Sequence, residues 1–325
     1  MIPDPVRLFP AFVRVGRSPD RYRVGYIDSQ GSMVVPPDYE DGYPFSEGLA
    51  AVRCKSKWGY IDRSGMFVIA PRLNSGDCFS EGFTPIYVGG KRGYIDRSGN
   101  LSIPIRYDTA GAFSEGLACV EQNEKYGFVD ATGQEQVPSI YDSARSFASG
   151  LAPVQIGPKW GYIRRDGTFA IPLQFDGFVA GPFRDGLARV DIGGKWGFID
   201  ASGSLVIPPQ FDMAYDFNEG LARVDSAGQS GYCARDGQVT IAPKFKFSTA
   251  FSEGLAAADD GRGLTGFIDR SGAFAIPPQF TATGLFHGGL CMVTTNEEVA
   301  YIDGNGKFIW RGPFVETRLG LDPRF

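Results

Sequence analysis

Self-similarity at a spacing of about 34 residues runs through nearly the whole chain and limits what it can fold into. Anchor glycines recur at Gly25, Gly59, Gly93, Gly127, Gly161, Gly197, Gly231 and Gly266, and Ala300 fills a ninth slot. The clearest copy reads Gly186–Val190, Lys195–Asp200, a turn at Gly203 and then Leu205–Pro209, before Phe211-Asp212 and Phe217–Gly220 lead into the next copy. A fixed period in this range marks stacked or radially repeated supersecondary units, each too small to bury its own apolar face.

Each copy holds three short apolar runs, such as Leu187–Val190, Trp196–Ile199 and Leu205–Ile207. They are too short for helices, rich in Val, Ile, Phe and Tyr, and bounded by Gly and Pro, so they read as strands. The first unit's opening run is read as Phe12–Val15. Pro36, Pro71, Pro104, Pro138, Pro172, Pro208, Pro243 and Pro277 follow the third run. Proline has no N–H for a ladder, so pairing is expected to stop there. Strands two and three are joined by Asp-x-x-Gly, as at Asp62/Gly65 and Asp200/Gly203. Asp first and Gly fourth suit a type I turn whose carboxylate accepts from turn N–H groups. Where the first Asp is lost, at Arg164 and Ala234, another stands just before the glycine, at Asp166 and Asp236, so these carboxylates read as structural.

The crossover between copies carries one aromatic at a fixed slot: Phe45, Phe79, Phe113, Phe147, Phe183, Phe217, Phe251 and Phe286. It reads as the wedge between neighbours, and burying such a ring contributes about 1.5–3 kcal/mol. The expected fold is all-β: a tandem array of nine three-stranded antiparallel units, closed as a propeller-like ring or open as a β-superhelix. Residues 11–310 are expected to form the array as a single domain. Residues 1–10 and 311–325 then cap its ends, with Trp310, Phe314 and Phe325 as candidate plugs.

The repeat resembles the WG-repeat (KWG-repeat) family of mainly bacterial proteins, on the motif Lys-Trp-Gly-[Tyr/Phe]-Ile-Asp. Lys57–Asp62 and Lys195–Asp200 match it in full; Lys159–Ile163 matches until Arg164. The resemblance covers about Phe12 to Ile309, although the Trp drifts to Val24, Arg92, Tyr126, Ser230, Thr265 and Val299. It implies a binding scaffold and brings no catalytic residues.

Little material for catalysis or metal binding exists. There is one histidine, His287, in a slot that holds Ser46, Ser80, Ser114 or Ser252 in other copies, and it reads as a surface-loop residue. The five cysteines (Cys54, Cys78, Cys119, Cys233, Cys291) fall at unrelated slots without Cys-x-x-Cys spacing, so neither a zinc site nor a disulfide framework is expected. No cofactor is expected, and the chain is expected not to be an enzyme. Net charge is −5 and the basic residues are dispersed, which argues against nucleic acid. No run of eighteen apolar residues is present, so no membrane helix is expected. The first residues lack a signal-peptide core, and the expected location is the cytoplasm.

Two slots carry charge in most copies. Glu47, Glu81, Glu115, Asp185, Glu219 and Glu253 make an acidic row; Arg23, Lys57, Lys91, Lys125, Lys159 and Lys195 make a basic one. The acids either bind a cation or a basic partner as a row, or each pairs with a basic side chain of a nearby unit or accepts from a backbone turn. Loops between strands one and two vary most in the last copies, so recognition is placed there: Asp259, Asp260 and Arg262 in one loop, Glu297 and Glu298 in another. The favoured function is a scaffold for a protein partner, one that tethers or neutralises it as an immunity protein does. The alternative is a carbohydrate or small-ligand module with Trp58, Trp160 and Trp196 as stacking platforms.

Overall fold

The computed structural model describes residues 7–14, 22–176, 180–296 and 298–313. Among them every regular element is a strand, and the strands make nine antiparallel sheets. The chain divides into two compact units. The terminal unit comprises Met1–Gly82, Arg97–Gly99 and Ser252–Phe325; the central unit comprises Phe83–Asp96 and Asn100–Phe251.

One sheet of the central unit shows the construction. Strand β19 (Ala188–Ile192), strand β20 (Lys195–Ile199) and strand β21 (Leu205–Phe211) pair in order, with Val190 opposite Gly197 and Phe198 opposite Ile207. The turn between β20 and β21 is closed by Asp200, whose Oδ1 accepts from Ser202 N at 2.9 Å and Ser204 N at 3.1 Å. The Ser202 hydroxyl and these amides hold its carboxyl below the ordinary value. Where the Asp is displaced, Asp166 Oδ1 accepts from Thr168 N at 3.0 Å, so the turn keeps its carboxylate.

Strand three does not end at its proline. Leu205–Phe211 runs through Pro208 and Pro209, and Phe67–Leu73 runs through Pro71. Trp196 faces Phe211 while Phe198 faces Ile207, so two steps on strand two span four on strand three. The proline lies in this bulge, on the sheet's outer edge, where its missing N–H leaves no ladder bond unmade. The arched backbone crosses the anchor glycine: a Cβ on Gly197 would lie 2.5 Å from Ile207 O and 2.8 Å from Pro209 N. Gly59, Gly161, Gly231 and Gly266 meet the same obstacle. The ninth unit pairs Val299, Ala300 and Tyr301 with Gly312, Arg311 and Trp310 in unbroken register, so no arch crosses Ala300 and a methyl fits.

Five of the nine sheets add a short fourth strand drawn from the crossover, such as β11 (Thr109–Ser114), β15 (Ser143–Ala144) and β22 (Met213–Ala214). The first unit is also longer than expected. Ala11 lies opposite Gly25, so strand β1 occupies Phe9–Arg14 and starts three residues before Phe12. At the other end, strand β32 takes in Phe308–Pro313. Trp310 sits opposite Tyr301 in that strand, packed on the buried cluster around Phe9 and Phe12, while Phe314 and Phe325 lie outside the described residues.

Neighbouring sheets are joined by four contacts that recur. The wedge ring packs on the strand-two aromatic of the preceding sheet, with centroids 4.8 Å apart for Phe198/Phe217, Tyr232/Phe251 and Tyr60/Phe79. The residue after the wedge donates to the next wedge's carbonyl: Ser46 Oγ to Phe79 O at 2.6 Å, Asn218 Nδ2 to Phe251 O at 2.8 Å, Ser252 Oγ to Phe286 O at 2.6 Å. The acidic residue next along has a left-handed backbone, with φ of 51° at Glu47 and 48° at Asp185, beside a glycine of the same hand, as a tight type I′ hairpin requires. Its carboxylate accepts from the next crossover: Gly82 N to Glu47 Oε2 at 2.9 Å, Gly220 N to Asp185 Oδ2 at 2.8 Å. Fourth, the strand-three Ile or Val lies under the next unit's turn glycine, as Ile171 under Gly203 and Ile207 under Gly237.

The last contact also settles whether the array is open. Within the terminal unit Ile309, near the chain's end, lies under Gly31, near its start, and a Cβ there would be 2.3 Å from Ile309 O. Tyr301 Oη donates to Pro10 O at 3.0 Å and its ring meets Phe9 at 5.5 Å. The final sheet thus packs on the first, with the Ile309 carbonyl under the turn glycine where interior seams place an Ile or Val side chain. A propeller has that contact and an open superhelix lacks it.

Candidate functional site

The charged rows turn out to be scaffold. The acids accept from backbone turns, as above, and four of the lysines pair with the carboxylate that ends strand three instead, while Lys57 bonds the Asn74 amide oxygen. Lys195 Nζ lies 2.6 Å from Asp212 Oδ1 and Lys159 Nζ lies 2.7 Å from Asp176 Oδ1; Lys91–Asp108 and Lys125–Asp142 repeat the pair. Asp212 Oδ2 also accepts from Ala227 N at 2.7 Å, clamping the next hairpin loop, and Lys195 holds its carboxyl below the ordinary value. The three motif tryptophans are core: Trp58, Trp160 and Trp196 are 8%, 2% and 7% exposed. Their faces are taken within the fold, Trp58 by Tyr43 at 5.2 Å and Trp196 by Arg189 at 5.3 Å. None is a platform for a sugar ring, and the ligand-module alternative loses its stacking surface.

The loop residues expected to recognise a partner are placed as follows. Asp259 ends strand β26 (Ala256–Asp259), and its Oδ2 accepts from Gly261 N at 3.0 Å. Asp260 Oδ1 accepts from Arg262 N at 2.7 Å and Leu264 N at 3.1 Å, and these amides hold its carboxyl below the ordinary value. These two carboxylates therefore shape their own loop. Glu298 pairs with Arg311 across the β31/β32 ladder, β31 being Glu298–Asp303, and Glu297 lies outside the described residues. Among the described residues no group of three or more His, Cys, Asp or Glu is placed to hold a metal. Cys233 is buried, which pushes its thiol up to about 12.

What the repeat does not use collects in the central unit. The inner strands β11 and β15 and the crossovers that follow them line a cleft of about 560 Å³, which continues through Arg184 and Asp216 into a second of about 400 Å³. Arg92, Arg145, Arg184 and Arg223 reach its walls; Asp216 is the one acid lining it. Three of these arginines depart from their repeat slots, and Arg223 shares its slot with Arg189. Arg92 stands where the motif has Trp, and Arg145 where other copies have Gly111, Gly181 or Tyr215. Arg184 replaces the Ser or Asn that bonds the next wedge, the slot His287 also fills.

Two layers can be distinguished. Beneath the surface, Arg189 and Arg223 are anchored. Arg189 Nη1 donates to Ala214 O at 2.7 Å and Arg223 Nη1 to Ser248 O at 2.7 Å. Arg223 stacks 3.9 Å from the Tyr215 centroid and pairs with Asp225 at 3.0 Å. Arg189 Nε lies 2.8 Å from Asp216 Oδ1, close enough for an ion pair though off the hydrogen-bond direction. Gly181 leaves the room for it, since a Cβ there would lie 2.6 Å from Arg189 Cγ. Above this layer Arg145 and Arg184 are exposed and form no side-chain hydrogen bond or ion pair among the described residues. Asp216 is already compensated by Arg189, so the cleft carries a net positive field in an acidic chain.

The terminal unit holds a smaller cavity of about 120 Å³, walled by Leu8, Phe9, Phe45, Met292 and Tyr301 beside Arg7 and His287. Arg7 Nη2 lies 2.6 Å from His287 Nε2. Its volume is well below that of a drug-sized site.

Nine antiparallel sheets joined by recurring interlocks, the last packed on the first, define the class: a β-propeller-type repeat protein. The profile of the WG containing repeat matches residues 25–58, 58–91, 93–126, 126–160, 160–196, 196–226, 231–260 and 266–298, so the chain belongs to the WG-repeat family. No protein of curated function matches it in sequence. A solved eukaryotic initiation factor is similar over 95% of this chain and 96% of that one, with a TM-score of 0.64 and 12% identity. BamB from Moraxella catarrhalis is similar over 85% of this chain and 88% of that one, with a TM-score of 0.44 and 11% identity. At such identities the likeness is one of fold alone. No helix among the described residues is long and apolar enough to cross a membrane.

Arg145 and Arg184 were not singled out from the sequence. The signal was available: both are charged residues in slots that elsewhere hold small or hydrogen-bonding scaffold residues. It is a change of residue type without any change of length, unlike the divergence of the hairpin loops.

Proposed function

We propose that this chain is a non-catalytic protein-interaction scaffold that tethers or neutralises a partner protein, as an immunity protein does. One observation carries the reading. Most of the repeated polar residues are consumed by turns, hairpin clamps and seams, whereas Arg92, Arg145 and Arg184, which depart from their slots, gather in one cleft of the central unit. A surface built by departures from a structural repeat suits recognition of one partner. The proposed compartment is the bacterial cytoplasm, with which five free thiols, three of them buried, are compatible.

The test is affinity capture with the full chain from lysate of the source cell, quantified by mass spectrometry. The expected result is one protein enriched at least tenfold over both the bare matrix and the heat-unfolded chain. Enrichment of none, with a metabolite consumed instead, would remove the scaffold reading.

A further inference from the structure

We propose that the arginine cleft of the central unit takes a carboxylate-rich peptide segment of the partner. This rests on the protein-binding reading and adds the chemistry of the contact. The seam slot after the wedge decides it. Ser46, Ser114, Asn218 and Ser252 each use that slot to bond the neighbouring wedge carbonyl. Arg184 gives this bond up for a guanidinium that contacts no carboxylate among the described residues and opens into the cleft. Arg145, in the slot that holds Gly111 and Gly181 in neighbouring copies, brings a second guanidinium to the same cleft.

The second layer readies the first. Arg189 compensates Asp216, and Arg223 is held by Asp225 and the Tyr215 face, so the acids nearby are occupied and do not quench Arg145 and Arg184. A guanidinium presents paired donors that match a carboxylate fork. The cleft is also lined by Thr109–Gly111 and Ala144 of the edge strands β11 and β15, and a sheet edge suits an extended peptide. Nucleic acid fits less well. Its affinity rests on neutralising many phosphates along a stripe, and here the exposed cations are few in a chain of net charge −5.

The experiment uses the full chain and fluorescein-labelled hexaglutamate, with hexalysine and a twelve-residue oligothymidylate as comparison probes, read by anisotropy at low and physiological salt. Two variants are measured, Arg145→Gln and Arg184→Ser. The second restores the residue other seams use, so it keeps the fold, as a thermal melt verifies. Hexaglutamate is expected to bind saturably and hexalysine not. Each variant should weaken the binding at least threefold and the pair at least tenfold, while Lys307→Gln, at an exposed turn of the terminal unit, leaves it unchanged. Absence of saturable hexaglutamate binding, or equal binding by the double variant, overturns the proposal. Tighter, arginine-dependent binding of the oligothymidylate overturns it in favour of a nucleic-acid site. If a captured partner is retained equally by the double variant, the cleft assignment falls while the scaffold reading stands. If the unaltered chain captures no partner, the scaffold reading itself falls.

Discussion

The glycine of the family motif is best understood from what crosses it. Its slot is in mid-strand, where glycine costs conformational entropy, and is kept because the proline-bearing arch of strand three passes within 2.5 Å of where a Cβ would stand. Gly197→Ala is therefore expected to destabilise the chain by about 2 kcal/mol through overpacking. Ala300→Gly, where no arch exists, should cost less than about 1 kcal/mol. Urea unfolding of the two variants checks this; equal losses would show that the arch does not set the preference. The acidic residues of the crossover follow similar logic. Glu47 and its counterparts hold a left-handed backbone that a non-glycine residue avoids, and the hydrogen bond to the next crossover's glycine offsets that strain.

At the scale of the element, the sheet alone is not the stable object. Its inner strands and crossover become buried only when the next wedge arrives. Phe217 is buried against Phe198, inside a cluster with Trp196, Ile207 and Val224. Phe217→Ala should cost about 3–5 kcal/mol, as for other large-to-small core changes. Because the contact is nearest-neighbour, hydrogen exchange should quicken in β19–β21 and in the adjoining sheet, and less in sheets further along. A uniform increase throughout the chain would instead mean that the array unfolds as one cooperative block. Much of this scale was legible beforehand: the hairpins, the Asp turns and the wedge all follow from local turn chemistry and period. The inner fourth strands were not, since two-residue bridges such as Ser143–Ala144 leave no periodic trace. Nor was the passage of strand three through its prolines, because the rule against proline in a ladder is relaxed on an outer edge.

For the whole molecule, closure depends on contacts between residues nearly 300 positions apart. The seam sets the Ile309 carbonyl under Gly31, and the slot that holds a seam-bonding Ser or Asn in other copies here holds His287, in contact with Arg7. Burial of the imidazole and the nearby Arg7 charge hold His287 below its ordinary value of 6.5, with Glu253 opposing. A lowered value means the neutral ring is favoured in the folded chain. This contribution is present above about pH 6.5 and is lost as pH falls through the folded value, when Nε2 takes a proton and no longer accepts from Arg7. Amide exchange in β1 and β32 should thus accelerate between pH 7.5 and 5.5 relative to strand β24 (Gln229–Ala234). His287→Ser should abolish the difference; a pH response that survives this substitution would exclude the latch.

By itself the sequence determined the all-β class, the number of units, the turn chemistry and the wedge, because each is set within one period by neighbours a few residues apart. Only the tertiary structure decided closure, the burial of the tryptophans and the position of the arginine cleft. These depend on which slots of different units face one another. Arg145 and Arg184 stand 39 positions apart in different units and become neighbours along one wall only because the repeat stacks their slots.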